Sequence, residues 1–173
     1  MSARTVLRAT ADLSQKETDE LTAMKAAVYP NSSPAAREWA PREWGVFVRI
    51  EGQLVSYTGI VIRDGSVNGT PASIGGIGGV ATHPAHRGKG YAPLGMALAL
   101  DFMLGRNVDF ALLVCRVELV DYYSKLGWHR FIGQLLETQY GRPEVFSFNE
   151  VMVGDLNSPA PIEGTIDLKG PAW

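Results

Sequence analysis

One cysteine, Cys115, occurs among 173 residues, so the chain can form neither an intramolecular disulfide nor a cysteine-based zinc site. Histidine is almost as scarce. His83, His86 and His129 lack the spacing of a ligand set, two of them share one turn, and no metal is expected. No apolar run approaches the ~20 residues that span a bilayer. No N-terminal apolar segment reads as a signal peptide, so a cytoplasmic location without membrane attachment is expected. The formal net charge of −2 lacks the basic excess a nucleic-acid binder needs. It is mildly compatible with a small cationic substrate. Low-complexity tracts and internal repeats are absent too, and the length predicts one domain over 1–173 with a full core. Its last part, 154–173, reads as a proline-broken tail.

What the chain does have is glycine, concentrated in Gly75-Gly76-Ile77-Gly78-Gly79-Val80-Ala81-Thr82-His83-Pro84-Ala85-His86-Arg87-Gly88-Lys89-Gly90-Tyr91-Ala92. The stretch reads as a small-residue strand, a glycine-rich turn and an apolar helix from about Pro93 to Leu104. Backbone N–H groups converge at such a turn, and the helix start adds partial positive charge. With Arg87 and Lys89 this makes a phosphate or pyrophosphate site. No Gly-Lys-Ser/Thr is present, which excludes a P-loop. A dinucleotide turn would open an early βαβ unit, whereas this one lies mid-chain. The bland alternative is an ordinary strand–turn–helix.

Around that centre the pattern is α/β. Thr5–Thr10 alternates as a first strand. Ser14 with Glu17 is a capping-box pattern, and apolar Leu21, Met24, Ala27 and Val28 predict a helix over Gln15–Val28. Pro30, Pro34 and Pro41 break a loop and short-helix segment that carries Glu38, Trp39, Glu43 and Trp44. Its indoles and carboxylates are candidates for one wall of a substrate cleft, or else a cover for the sheet. Trp44–Ile50 and Leu54–Ile62 predict a hairpin about Glu51-Gly52-Gln53. Asp64-Gly65 and Asn68-Gly69 mark the next turn, and a strand over Ala72–Thr82 follows. Phe110–Cys115 is an apolar run suited to a strand buried on both faces. Val117–Leu126 predicts a short helix with Gly127 as its cap. Trp128–Ile132 and Val145–Val153 close the sheet.

The segment Arg87-Gly88-Lys89-Gly90-Tyr91-Ala92 resembles motif A of the GNAT N-acetyltransferase superfamily, Arg/Gln-x-x-Gly-x-Gly/Ala, with Arg87, Gly90 and Ala92 at its fixed positions. Tyr122-Tyr123-Ser124-Lys125-Leu126-Gly127-Trp128 is similar to its Tyr-x-x-x-Gly-Phe/Trp pattern, with Tyr123 at the tyrosine. The resemblance covers most of the chain. It implies the GNAT fold, a largely antiparallel mixed sheet with a βαβ acetyl-CoA-binding core flanked by helices, and an acetyl-CoA-dependent acyltransferase. By the same resemblance, Val80, Ala81, Thr82, Arg87, Gly88, Lys89, Gly90, Tyr91, Ala92 and Tyr123 hold acetyl-CoA. Val80 and Thr82 would act through their backbones, and Tyr123 would serve as general acid toward the sulfur.

Thr165 to Trp173 is similar to the ending of the aminoglycoside 2′-N-acetyltransferases. That likeness makes Trp173 a catalytic or substrate-binding candidate through its carboxylate and Asp167 a candidate for binding cationic groups, whereas Glu38, Trp39 and Glu43 are substrate candidates from the broken segment alone. Two departures stand out. The family's strand glutamate is replaced by Gly78, and Pro171 stands where the family has an aspartate. Fewer anionic contacts point to a smaller aminoglycoside, kasugamycin among them, with antibiotic resistance as the consequence. Three rivals stay open: peptide or protein N-acetylation, polyamine acetylation, and a CoA-binding sensor without catalysis. The general base has no assigned residue. Cys115 reads as an acetyl acceptor or a buried thiol, and the resemblance leaves a homodimer open.

Overall fold

A computed structural model describes residues 2–30 and 37–173. Strand β1, Arg4–Ala9, leads through a 3-10 turn into helix α1, Gln15–Val28. The helix starts where the sequence says, because the Ser14 side chain accepts from the Glu17 N–H while Glu17 accepts from the Ser14 N–H. Strand β2, Trp44–Ile50, pairs antiparallel with β1 and with β3, Gln53–Val67. Glu51 and Gly52, both with positive φ, form the two-residue turn between β2 and β3. Asn68 and Gly69 repeat that geometry before β4, Thr70–Thr82.

The expected turn at Asp64-Gly65 does not exist, since β3 runs through it unbroken. Gly65 is there for close approach instead. A Cβ on it would meet the Asp167 carbonyl oxygen at 2.5 Å. No helix occurs over Arg37–Glu43 either, and the remainder of that expectation lies outside the described residues.

Helix α2 runs Tyr91–Leu104, two residues earlier than expected, because Pro93 sits in the first turn where its missing N–H costs nothing. Strand β5, Phe110–Cys115, lies parallel to β4. A 3-10 turn at Val117–Leu119 and the six-residue α3, Val120–Lys125, replace the single helix expected there. Gly127, φ 90°, follows as the left-handed stop. The remaining strands are β6 His129–Arg130, β7 Gln134–Gln139, β8 Arg142–Val145, β9 Glu150–Asp155 and β10 Thr165–Asp167. The expected strand over Val145–Val153 is thus two strands, and β6 is shorter than Trp128–Ile132.

Sheet order is β6-β9-β5-β4-β3-β10-β7-β8, with β2 attached to the first half of β3 and β1 paired to the outer side of β2. β10 enters the sheet beside the second half of β3 and pairs parallel with β7. The tail is therefore part of the fold. Helices α2 and α3 pack on one face, around Met96, Met103, Leu113 and Tyr123. Two clusters cover the opposite face: α1 against Phe47, Tyr57 and Ala81, and the tail against Val61, Leu112 and Phe146. The functional geometry lies between those two clusters. Among the described residues, no helix is long and apolar enough to cross a membrane.

Candidate active site

The centre of the molecule is a place where two parallel strands stop pairing. β4 and β5 are in register from Ile74 with Phe110 to Ile77 with Leu113, and no further. Beyond that point β4 carries a bulge. Its register to β3 shifts between Tyr57, opposite Ala81, and Gly59, opposite Gly78. Gly79 sits at φ 61°, a conformation a side chain would strain. Val80, Ala81 and Thr82 thus diverge from Val114 and Cys115, opening a wedge lined by backbone groups. Tyr29, capping the end of α1, donates its hydroxyl to the Val80 carbonyl. Ser56 donates to the Ala81 carbonyl at 3.1 Å and meets the Thr82 hydroxyl at 2.9 Å, fixing the outer edge of the wedge.

The glycine-rich turn follows. His83 caps a 3-10 turn by accepting the Ala85 N–H at 3.2 Å, and the Arg87 Nε–H reaches the Thr82 carbonyl at 3.4 Å. Gly88 and Gly90 have φ of 74° and 78°, and the space where their side chains would stand is open. The conformation demands glycine, and the openness leaves the backbone N–H groups of the turn accessible. Arg87, Gly88, Lys89 and Gly90 are exposed, whereas Tyr91 and Ala92 are half-buried at the start of a 14-residue helix. Two bare glycines, two cations and a helix N-terminus in one place fit a pyrophosphate.

On the helical face, α3 aims Tyr123 inward. Its ring packs edge-on to Trp128 at 6.5 Å, and Tyr122 lies outward against it at 5.1 Å. Burial, with the Cys115 thiol beside it, pushes the Tyr123 phenol well above its ordinary range. It therefore stays protonated at neutral pH and has a proton to donate. Cys115 is buried and pushed up to about 11, by burial first and then by Glu150. A thiol held neutral is a poor nucleophile, and the buried-thiol alternative fits it.

On the opposite face the glycines of β4 have specific tasks. The Trp173 indole lies flat over Gly76, where a Cβ would meet its ring at 2.2 Å. The indole N–H donates to the Leu112 carbonyl at 3.0 Å. A Cβ on Gly78 would stand 3.1 Å from the backbone carbonyl carbon of Trp173 and 3.2 Å from Nε and Nη2 of Arg42. A side chain at Gly78, such as the family's glutamate, would therefore crowd both groups and require them to shift. Gly75 serves the other face, where Met103 of α2 fills the space.

The substrate candidates are not gathered at the wedge. Glu38 is tied to the β7–β8 turn: its carboxylate accepts the Tyr140 N–H, and Gln139 bonds its backbone. Trp39 packs edge-on against Phe148 at 5.7 Å. Glu43 is exposed, and its N–H donates to the Ile60 carbonyl. The Asp167 carboxylate accepts the Lys169 N–H at 2.8 Å, at the end of β3 remote from the bulge. Only Trp173 reaches the wedge. Arg42, which does lie there, carries no motif; the only sequence hint is the pair of glycines, Gly59 and Gly78, that make its floor.

A model of the acetyltransferase (GNAT) domain matches residues 10–131. The chain belongs to the GNAT acetyltransferase family. It is accordingly an N-acetyltransferase that uses acetyl-CoA. No curated protein matches it by sequence. Among solved structures it is similar to an acyl-CoA N-acyltransferase from Pseudomonas aeruginosa, 21% identical with TM-score 0.64, covering 88% of this chain and 99% of that one. ElaA of Escherichia coli is 16% identical with TM-score 0.63, covering 89% and 100%. The ribosomal-protein-S18-alanine N-acetyltransferase of Escherichia coli is 11% identical with TM-score 0.56, covering 91% and 96%. At these identities the likeness is one of fold.

Proposed function

We propose that this GNAT protein acetylates the amine of a small acceptor at the β4 bulge, with the acetyl group delivered from the helical face. The observation that carries the reading is the wedge itself, with the pyrophosphate turn at its outer end and a buried phenol beneath it. Acetyl-CoA supplies the thioester. The turn N–H groups with Arg87 and Lys89 hold its phosphates, and the backbone of Val80 and Thr82 holds the pantetheine arm. Attack by a neutral amine places negative charge on the thioester oxygen, which a backbone N–H of the bulge stabilises. The C–S bond then breaks, and Tyr123 donates to the sulfur. Because its pKa is raised, it acts first as a hydrogen-bond donor to the developing thiolate and transfers its proton late. The amine's surplus proton needs an acceptor on the opposite face. Trp173, whose backbone carbonyl carbon lies beside Gly78, would place a carboxylate there where the chain stops at this residue.

The finer substrate reading is an aminoglycoside, with kasugamycin the candidate and resistance the outcome. Its support is the tryptophan-ended tail meeting the β4 glycines on the acceptor face. Thiol release from acetyl-CoA, measured against kasugamycin, kanamycin-type aminoglycosides, polyamines and peptides, tests the substrate class. Turnover of kasugamycin is expected, and no turnover with any aminoglycoside would remove that class. CoA binding without thiol release from any acceptor would favour the sensor reading. Tyr123→Phe should lower kcat by roughly 100-fold and leave the acetyl-CoA Kd unchanged; an unaltered kcat would take Tyr123 out of the chemistry.

A further inference from the structure

Arg42 is the charged group that neither the cofactor turn nor the leaving-group chemistry uses. It lies over three residues without side chains. A Cβ on Gly59 would meet its Cγ at 2.5 Å, one on Gly78 its Nε and Nη2 at 3.2 Å, and one on Gly79 the same atoms at 3.7 and 3.8 Å. Gly59 and Gly78 are cross-strand partners, so the two central strands are bare where the guanidinium rests. Nη1 donates to the Ala40 carbonyl at 3.2 Å. Nε is buried and has no acceptor. Among the described residues, four side-chain ion pairs form and none includes Arg42. The undescribed residues 31–36, Asn-Ser-Ser-Pro-Ala-Ala, hold no acidic side chain.

The surroundings carry the same sign. Lys25 sits 4.9 Å from the centre of the Tyr57 ring. Burial, and then the charge of Arg42, push it below its ordinary range. Burial pushes the Tyr29 phenol above its ordinary range, with Arg42, Arg116 and Arg87 pulling the other way. This half-buried guanidinium forms no ion pair among the described residues, its buried Nε–H lacks an acceptor, and it lies against Gly78 and Gly79 of the bulge.

Resting on the acetyltransferase reading above, we propose that Arg42 binds an anionic group of the acceptor, so that the substrate is an amine bearing its own carboxylate, of the size of an amino acid. The free Nε–H beside Nη2 is the edge that takes a carboxylate in two parallel hydrogen bonds. Seated there, the anion holds the amine of the same molecule beside Gly78 and Gly79, within reach of the acetyl end of the wedge. A polycation without an anionic group would meet Arg42 and Lys25 as like charges, so carboxylate-bearing amines and the aminoglycosides named above are rival substrates, which the thiol-release assay separates.

The test compares acetylation of free amino acids with their carboxamides, whose amine is retained and whose charge is lost, in the wild type, Arg42→Lys and Arg42→Met. The wild type should prefer the acids by 10- to 100-fold in kcat/KM. That preference should shrink in Arg42→Lys and vanish in Arg42→Met, mostly through KM. Equal rates for acid and amide in the wild type would overturn the proposal, and that comparison needs no variant to fold. So would Arg42→Met slowing acids and amides alike with a displaced pH profile, which would make Arg42 a partner of the Trp173 carboxylate. Calorimetric titration with CoA separates the two levels of the argument. Binding with turnover of amides over acids sinks this inference alone, whereas absent CoA binding sinks the acetyltransferase assignment beneath it.

Discussion

Glycine is the residue whose role changes most with position in this chain. Gly88 and Gly90 are required by their dihedral angles, Gly79 by a bulge, and Gly75, Gly76 and Gly78 by what lies against them. Gly76→Ala would press a methyl group into the Trp173 indole. A loss of roughly 1–3 kcal/mol is expected, readable as a fall in Tm of several degrees. Gly88→Ala meets no atom, so strain of about 1 kcal/mol from its positive φ is its whole structural cost. Cys115 gives a second test at this scale. With its pKa near 11, the native thiol should resist iodoacetamide at pH 8 while the unfolded chain reacts within minutes, as mass spectrometry would show. Sequence could name Tyr123 and the Arg87–Ala92 turn, because each is a local pattern. It could not name Arg42, whose importance comes from three glycines on two other strands.

Among the elements, α1 and α2 were legible because their signals are local. The capping box starts α1 at the expected residue, and Ser14→Ala should cost about 1 kcal/mol in a denaturant titration. β7 was not legible. Its inward-facing side chains are Leu135, Glu137 and Gln139, so the alternation that marks a half-buried strand is broken by two polar residues. They are buried because they have partners. Glu137 pairs with Arg37 and accepts the Ala172 N–H at 3.1 Å, and Gln139 bonds the Glu38 backbone. This network fixes the last residues of the chain from below. Glu137→Leu should therefore destabilise by several kcal/mol, since it strands the Arg37 guanidinium, and should loosen the tail before the rest, as hydrogen exchange at Leu168 and Ala172 would report. The proline-broken tail likewise hid β10, three residues long, which forms only because β3 and β7 each offer it an edge.

For the molecule as a whole, the tail is part of the fold as well as a proposed part of the site, so its removal cannot be a purely catalytic experiment. Deleting Trp173 takes away an indole 2% exposed together with its hydrogen bond to Leu112. A cost of about 3–5 kcal/mol is expected, and a melting curve must accompany any activity measured on that variant. The pH dependence at the alkaline end follows from the helical face. The Cys115 thiol loses its proton near ~8.5 when unfolded and at about 11 when folded. Stability is thus full below ~8.5 and falls as pH rises toward 11, because only the unfolded state gains from ionisation in that window. Cys115→Ala should flatten that fall. The sequence by itself determined the fold class and offered the Arg87–Ala92 turn and Tyr123 as candidates, since each is written in neighbouring residues whose spacing is set by a helix, a strand or a turn. The tertiary structure alone decided what gathers at the β4 bulge. Arg42, Gly59, Gly78 and Trp173 come from a loop, two strands and the chain's last residue, and only the pairing of the sheet brings them within contact of one another.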